Sequence, residues 1–523
     1  MECIAEDSET DSCFEVIESW IKSCERDHPD CAQQMTRLLP TRVIDVGKDG
    51  KNPRLYESHG EIACYITLSH CWGGKQIITT TKATLEDRKQ GITWSSLSKT
   101  FQDAVRITQK LGFRYLWVDS LCIVQNDHLD WERESAQMAS IYQNSFLTIA
   151  ATHSADGDGG CFSKRPRSST DSREIYKGKG VVPAGVIVRR RLPDHRMSVY
   201  FDGISSKSPL HSRAWCFQER LLASRTIQYA EDELVWECKT KTWCECMDLD
   251  TWHFNTKSFK RHYLESLAAG LEIMGEEWSK IVNLYTARQL SFESDRLPAL
   301  SGIAKHFQSY GMGSYLAGLW KPLLPRQLLW QVRNCRSARR PLVYRAPSWS
   351  WASVEGTDIS YAFGGDTSRI PLTTPNVCIL DAQCTAKGAD PTGQVSDAFL
   401  KVSGPLVAAS AFVHSNELVD GRAKSYAIER GDQRYVFQPD FPFFEETKSG
   451  LPQAPVYCLQ ISTANYGFQP PMPYGYSESH SLVLARSLRV PDAYERVGFL
   501  AQSNLEEAAQ LYRDAEDTVL TIV

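Results

Sequence analysis

The 523-residue chain has no stretch approaching 18 consecutive apolar residues, so its sequence predicts no helix that spans a membrane. It has no large charge excess either. The 58 Lys and Arg stand against 63 Asp and Glu, for a formal net charge of −5, which argues against a dedicated nucleic-acid binder. The basic runs at 164–167 and 189–191 read as solvated loop charge. The first residues, Met1-Glu2-Cys3-Ile4-Ala5-Glu6-Asp7, lack the cationic and apolar regions of a secretory signal. The 16 cysteines, spread over a long chain, then read as reduced thiols, and the expectation is a cytoplasmic protein. The glycine loop 154–160 lacks the lysine of a phosphate loop and the spacing of a dinucleotide fingerprint, and reads as a turn. There is no internal repeat.

What is present is the composition of a globular protein, 42% hydrophobic and 23% charged. Phe14, Ile17, Trp20 and Ile21 recur at helical spacing over 13–24. From about 61 to 152, strand and helix alternate. Ile62–Leu68 is a β-rich run. Leu97, Phe101, Ala104, Val105, Thr108 and Leu111 line a helix stopping at Gly112, and Tyr115–Val118 is a second strand. Trp131, Met138, Ile141 and Tyr142 mark another helix, with Asp130 as its expected N-cap, and Phe146–Ala151 is a third strand. This rhythm predicts an α/β fold with a mostly parallel sheet. The expected organisation is an N-terminal helix and linker (1–60), an α/β domain (61–240), a helical region (241–345) and a β-rich region of short runs (346–523). Trp349 and Trp351, two apart, are expected to bury one face of a strand.

Three segments carry a family resemblance. Tyr65-Ile66-Thr67-Leu68-Ser69-His70-Cys71-Trp72-Gly73 resembles the opening motif of fungal heterokaryon-incompatibility (HET) domains. The run from Leu116 to Asp127 resembles their second motif, and Arg213-Ala214-Trp215-Cys216-Phe217-Gln218-Glu219-Arg220 the third. The resemblance implies a role in fungal non-self recognition and programmed cell death. HET domains are in turn remotely similar to TIR domains, some of which cleave NAD with a helix-borne glutamate. That likeness implies a TIR-like, flavodoxin-like sheet, Glu219 as the catalytic residue and NAD as substrate.

The alternatives are a non-enzymatic signalling module, working through a protein partner or self-association, and a HET-fold enzyme of secondary metabolism acting on a small molecule. Nicotinamide leaves from a cationic ring without needing an acid, so one carboxylate can steady the sugar cation. The competing reading pairs Glu219 with a neighbouring arginine. Ligands of open α/β sheets bind beyond the carboxyl ends of strands, which draws Ser69, His70, Trp72, Trp117, Asp119, Cys122 and Trp215 into the candidate substrate site. Trp72 or Trp117 would stack on a nucleotide ring and Asp119 would accept a ribose hydroxyl; core and capping roles are the alternatives. A cysteine hydrolase built on His70 with Cys71 or Cys122 is a weaker reading, because no nucleophile elbow is present.

Two sulfur-rich segments, Cys24-x3-His28-x2-Cys31 and Cys238 with Cys244 and Cys246, have zinc-ligand residue types. Neither has paired CxxC knuckles, so the favoured reading is buried free thiols, with zinc as the alternative and no metal ligand assigned.

Overall fold

The computed structural model describes residues 4–32, 37–47, 52–74, 77–165, 172–176, 186–189, 208–246, 258–362, 372–415, 425–442, 453–466 and 476–523. The basic runs at 164–167 and 189–191 lie partly outside these. The chain divides into two compact units, Met1–Glu265 and Ser266–Val523. No helix among the described residues is long and apolar enough to cross a membrane.

The first unit is built on an eight-stranded sheet. In chain order its strands are β1 (Arg42–Asp45), β2 (Arg54–Glu57), β3 (Tyr65–Ser69), β4 (Tyr115–Trp117), β5 (Leu147–Ala150), β6 (Arg225–Tyr229), β7 (Leu234–Cys238) and β8 (Thr242–Cys244). Across the sheet they run β8-β7-β6-β5-β3-β4-β1-β2. The four central strands are parallel, with Ile66 opposite Leu116 on one side and Leu147 on the other, and Thr148 opposite Thr226. Both flanks are antiparallel. The sheet is therefore mixed, where the βαβ rhythm predicted a mostly parallel one. That rhythm covers only the segment with crossover helices, whereas β1–β2 and β6–β7–β8 are joined by short connections that permit only antiparallel pairing.

The helices follow their apolar spacing. Helix α1 (Asp11–Asp27) buries Cys13, Phe14, Ile17 and Cys24. Helix α2 (Lys99–Lys110) makes the crossover from β3 to β4; Phe101, Ala104, Val105 and Thr108 face the core, and Ser98 caps it by accepting from Phe101 N–H at 3.3 Å. Gly112, at φ +80°, carries the chain out of the helix. Helices α3 (His128–Ser135) and α4 (Met138–Asn144) return it to β5. The N-cap of α3 is Asp127, not Asp130. Asp130 is buried, and its carboxylate accepts from Arg42 Nη2 at 2.5 Å and from Val124 N–H at 2.8 Å. A buried guanidinium on β1 thus takes the carboxylate that local sequence assigned to capping. Helix α5 (Ala214–Leu222) precedes β6.

The second unit opens with helices α6 (Leu271–Thr286) and α7 (Pro298–Ser309) and ends in a nine-stranded, almost wholly antiparallel sheet. Its strands reach 21 residues in Val395–Ser415, far longer than the short runs predicted from the Pro and Gly spacing. Between helices and sheet, residues 315–362 form short hairpins, turns and helical turns of three or four residues, among them Leu324–Gln327. Trp349 and Trp351 are fully buried, but Trp349 sits in a turn and Trp351 opens the 3-10 helix Trp351–Ser353, and neither is on a strand. Trp351 Nε1 donates to the Gly318 carbonyl at 3.0 Å, and Gly318, at φ +97°, leaves room for the indole where a Cβ would overlap it.

Candidate functional site

Because β3 and β4 are parallel with Thr67 opposite Trp117, two further residues on each chain carry Ser69 and Asp119 to the same rim. Helix α5 crosses this rim and brings Glu219 to it. Ser69 Oγ donates to Glu219 Oε2 at 2.5 Å across 150 residues of sequence. Trp72 Nε1 donates to Asp119 Oδ2 at 2.9 Å, and Asp119 Oδ1 accepts from Ser120 N–H at 2.6 Å. His70 Nδ1 lies 3.9 Å from Asp119 Oδ1, and its ring stands edge-on to Phe101. Gly73 lets the loop after β3 approach Asp156 at a φ of +71°, where a Cβ would overlap that residue.

Glu219 is 5% exposed and makes no ion pair among the described residues. Its neighbour Arg220 is engaged elsewhere, with Nε donating to Glu237 Oε2 at 2.8 Å. Burial pushes the Glu219 carboxyl up to about 7; the Ser69 hydrogen bond opposes this, the charge of Asp119 adds to it, and Arg213 and the Tyr142 hydroxyl pull it down. The Tyr142 hydroxyl also donates to the Leu68 carbonyl at 3.0 Å. Arg213 is near enough to feel both Asp119 and Glu219, yet its guanidinium makes no ion pair among the described residues. Among the described residues His70 Nε2 is likewise buried without a hydrogen-bond partner, and burial pushes the imidazole below its usual range. Among the described residues the rim therefore holds two carboxylates, a hydroxyl donor, a buried imidazole and a cation without an ion pair.

Not every residue drawn in by sequence reaches this cluster. Trp117 is fully enclosed, packed edge-on against Tyr142, and offers no face for stacking. Cys122 is also buried, accepting from Val118 N–H at 3.5 Å, and burial pushes its thiol up to about 12. The reason is the short helix Asp119–Cys122, which turns the chain back into the core one residue after the rim. Trp215 is half-buried and packs against the core of this unit. Cys71 and Cys216 share a small apolar cluster with Ala150 and Leu210 beneath the rim. Burial raises the Cys71 thiol to about 11, and neither Cys71 nor Cys122 hydrogen-bonds His70, so the groups for thiolate catalysis do not assemble. Among the described residues no metal-sized cluster of His, Cys, Asp and Glu lies at the rim.

Sequence reasoning missed Tyr142 and Arg213 as parts of the site. Arg213 was legible as the charge opening the third motif. Tyr142 was not, because helical spacing alone makes it a core residue.

Comparison with known families finds that the family model described as heterokaryon incompatibility protein (HET) matches residues 65–219. The match begins on the first residue of β3 and ends on Glu219. No curated protein and no solved structure matches the chain.

Proposed function

We propose, from the premise that residues 65–219 are a heterokaryon-incompatibility domain, that this domain acts in non-self recognition by cleaving NAD at the nicotinamide glycosidic bond. The observation that carries the reading is the buried Glu219, held by Ser69 beside Asp119 and without an ion pair among the described residues. As the C–N bond breaks, its electron pair leaves with neutral nicotinamide and the ribose becomes a cation. Glu219 stabilises that cation in a site that screens charge poorly, and water then adds to the sugar and releases a proton. Asp119, held by Trp72, accepts a ribose hydroxyl, and Arg213 pairs with the pyrophosphate. The arrangement of the central parallel strands supports a TIR-like core within the mixed sheet.

The testing experiment is incubation of the purified full chain with NAD and measurement of nicotinamide release. Only the ionised carboxylate stabilises the cation, so release is expected to rise with pH through the range set by the raised Glu219, from about pH 6 to about 8. No release at any pH would leave the second reading, a module that signals by association, which the closed Ser69–Glu219 contact favours as an internal fastening of the domain.

A further inference from the structure

Away from the rim, three cysteines and a histidine converge between the N-terminal helix and one flank of the sheet. Cys24 lies in the last turn of α1, and His28 follows as its C-cap, its N–H bonded to the Cys24 carbonyl at 3.1 Å. Cys31 lies in the helical turn Pro29–Ala32, its N–H bonded to the His28 carbonyl at 2.9 Å, and Cys238 ends β7. All four side chains are buried, and one ligand atom from each lies within 4.8 Å of all the others. Cys238 Sγ is 3.4 Å from His28 Nδ1, across 210 residues of sequence. A tetrahedral zinc ion with bonds of about 2.3 Å to sulfur and about 2.0–2.1 Å to nitrogen requires an S···N edge of about 3.5 Å and S···S edges of about 3.8 Å. The cluster has that size to within a small contraction.

A second observation is the charge around it. Arg225, 4% exposed, directs Nε at Cys24 Sγ at 3.4 Å, Nη2 at the Cys31 carbonyl at 2.7 Å and Nη1 at the Phe146 carbonyl at 3.3 Å. Among the described residues no carboxylate lies within ion-pairing distance of it. A buried guanidinium stays charged and is costly without a counter-charge. Three thiolates around a divalent ion carry a net charge of −1, which supplies one. The other sulfurs are also provided for: Lys241 N–H donates to Cys238 Sγ at 3.3 Å, and the Thr240 hydroxyl lies 3.8 Å from Cys31 Sγ. Donors to ligating thiolates are the outer partners that a metal site needs.

We propose that Cys24, His28, Cys31 and Cys238 form a structural zinc site that fastens the N-terminal helix to the antiparallel flank of the sheet. With four protein ligands the ion has no open position, so its work is folding and not catalysis. Cys244 and Cys246 do not take part. Cys244 sits opposite Val235, toward the start of β7, and groups with Cys246 and Glu233, whereas Cys238 is at the strand's other end. The sequence spacing favours buried free thiols; the convergence of Cys238, but not Cys244 or Cys246, on Cys24, His28 and Cys31 comes from the fold.

The test is elemental analysis of the purified full chain, with intact mass under denaturing, non-reducing conditions and cobalt(II) as a spectroscopic substitute. The expected result is close to one zinc per chain, a cobalt spectrum with intense thiolate charge-transfer bands and no disulfide. Zinc should persist when Cys244 and Cys246 are both changed to Ser and be lost in Cys238→Ser. Arg225→Met is expected to weaken zinc binding about 10- to 100-fold. Zinc below a tenth of an equivalent in protein made with added zinc would overturn the site. So would a mass lower by two hydrogens from a Cys24–Cys31 disulfide, or zinc lost with Cys244 and Cys246 but kept in Cys238→Ser. If Cys238→Ser fails to fold, the cobalt spectrum of the unaltered chain decides, since ligation without thiolate bands contradicts the site.

Discussion

Glu219→Gln is expected to lower nicotinamide release by a factor on the order of 10²–10³ while leaving the fold intact. The amide keeps the shape of the carboxylate and can still accept from Ser69 Oγ, but it carries no charge to set against the sugar cation. The same substitution should stabilise the protein at neutral and higher pH. Burial raises the folded-state carboxyl from 4.5 to about 7, so the unfolded chain gives up this proton first as pH rises. Stability therefore falls between those two values, by about 3 kcal/mol in all, and Gln removes that cost. Chemical denaturation of both forms at pH 4 and pH 8 should show the variant ahead at the higher pH and little gap at the lower. Unchanged release would remove Glu219 from catalysis. A stability gap independent of pH would mean that the carboxylate titrates in its ordinary range.

The two halves of this prediction differ in how far sequence leads to them. Ser69, Asp119 and Glu219 were legible together because each lies at a boundary that local pattern reveals: the ends of two β-rich runs and a short helix closing a motif. Once β3 and β4 are parallel, the rim follows from topology. The environment of Glu219 was not legible. That Arg220 turns to Glu237 and not to Glu219 depends on the hairpin β6–β7, and nothing in the spacing Glu219-Arg220 announces it. Trp117 and Cys122 were misplaced for the complementary reason: residues next to a rim in sequence face inward when the backbone turns immediately, as it does at Asp119–Cys122. Asp130 looked like a cap because capping is a local rule, but Arg42, on a distant strand, claimed its carboxylate. In the second unit, burial of Trp349 and Trp351 was legible from their size, but their turn and 3-10 backbone was not, because period-two spacing also arises by chance outside strands.

Asp440→Ala is expected to destabilise the second unit by about 3–5 kcal/mol. Arg496 is fully buried, its guanidinium 3.5 Å from the centre of the Trp330 ring. Nε and Nη2 donate to the two oxygens of Asp440 at 2.9 and 3.1 Å, while Nη1 and Nη2 donate to the carbonyls of Leu328 and Trp330 at 2.6 and 2.5 Å. Asp440 is 1% exposed. Burial pushes its carboxyl up even with the Arg496 charge pulling the other way, so the pair survives through its geometry and not through cheap desolvation. Removing the carboxylate strands a cation that cannot neutralise itself by losing a proton, since an arginine stays charged in proteins. Arg496 also ties the strand Tyr494–Gln502 to the turn and short strand around Leu328 and Trp330, so the loss should be cooperative over the unit. The double variant Asp440→Ala/Arg496→Met should recover part of the loss, because it removes the stranded charge and leaves an apolar chain against Trp330. Urea unfolding of the three forms measures this directly. An Asp440→Ala midpoint indistinguishable from the unaltered protein, or a double variant no more stable than Asp440→Ala, would show that no stranded charge causes the loss, water or another anion reaching Arg496 instead.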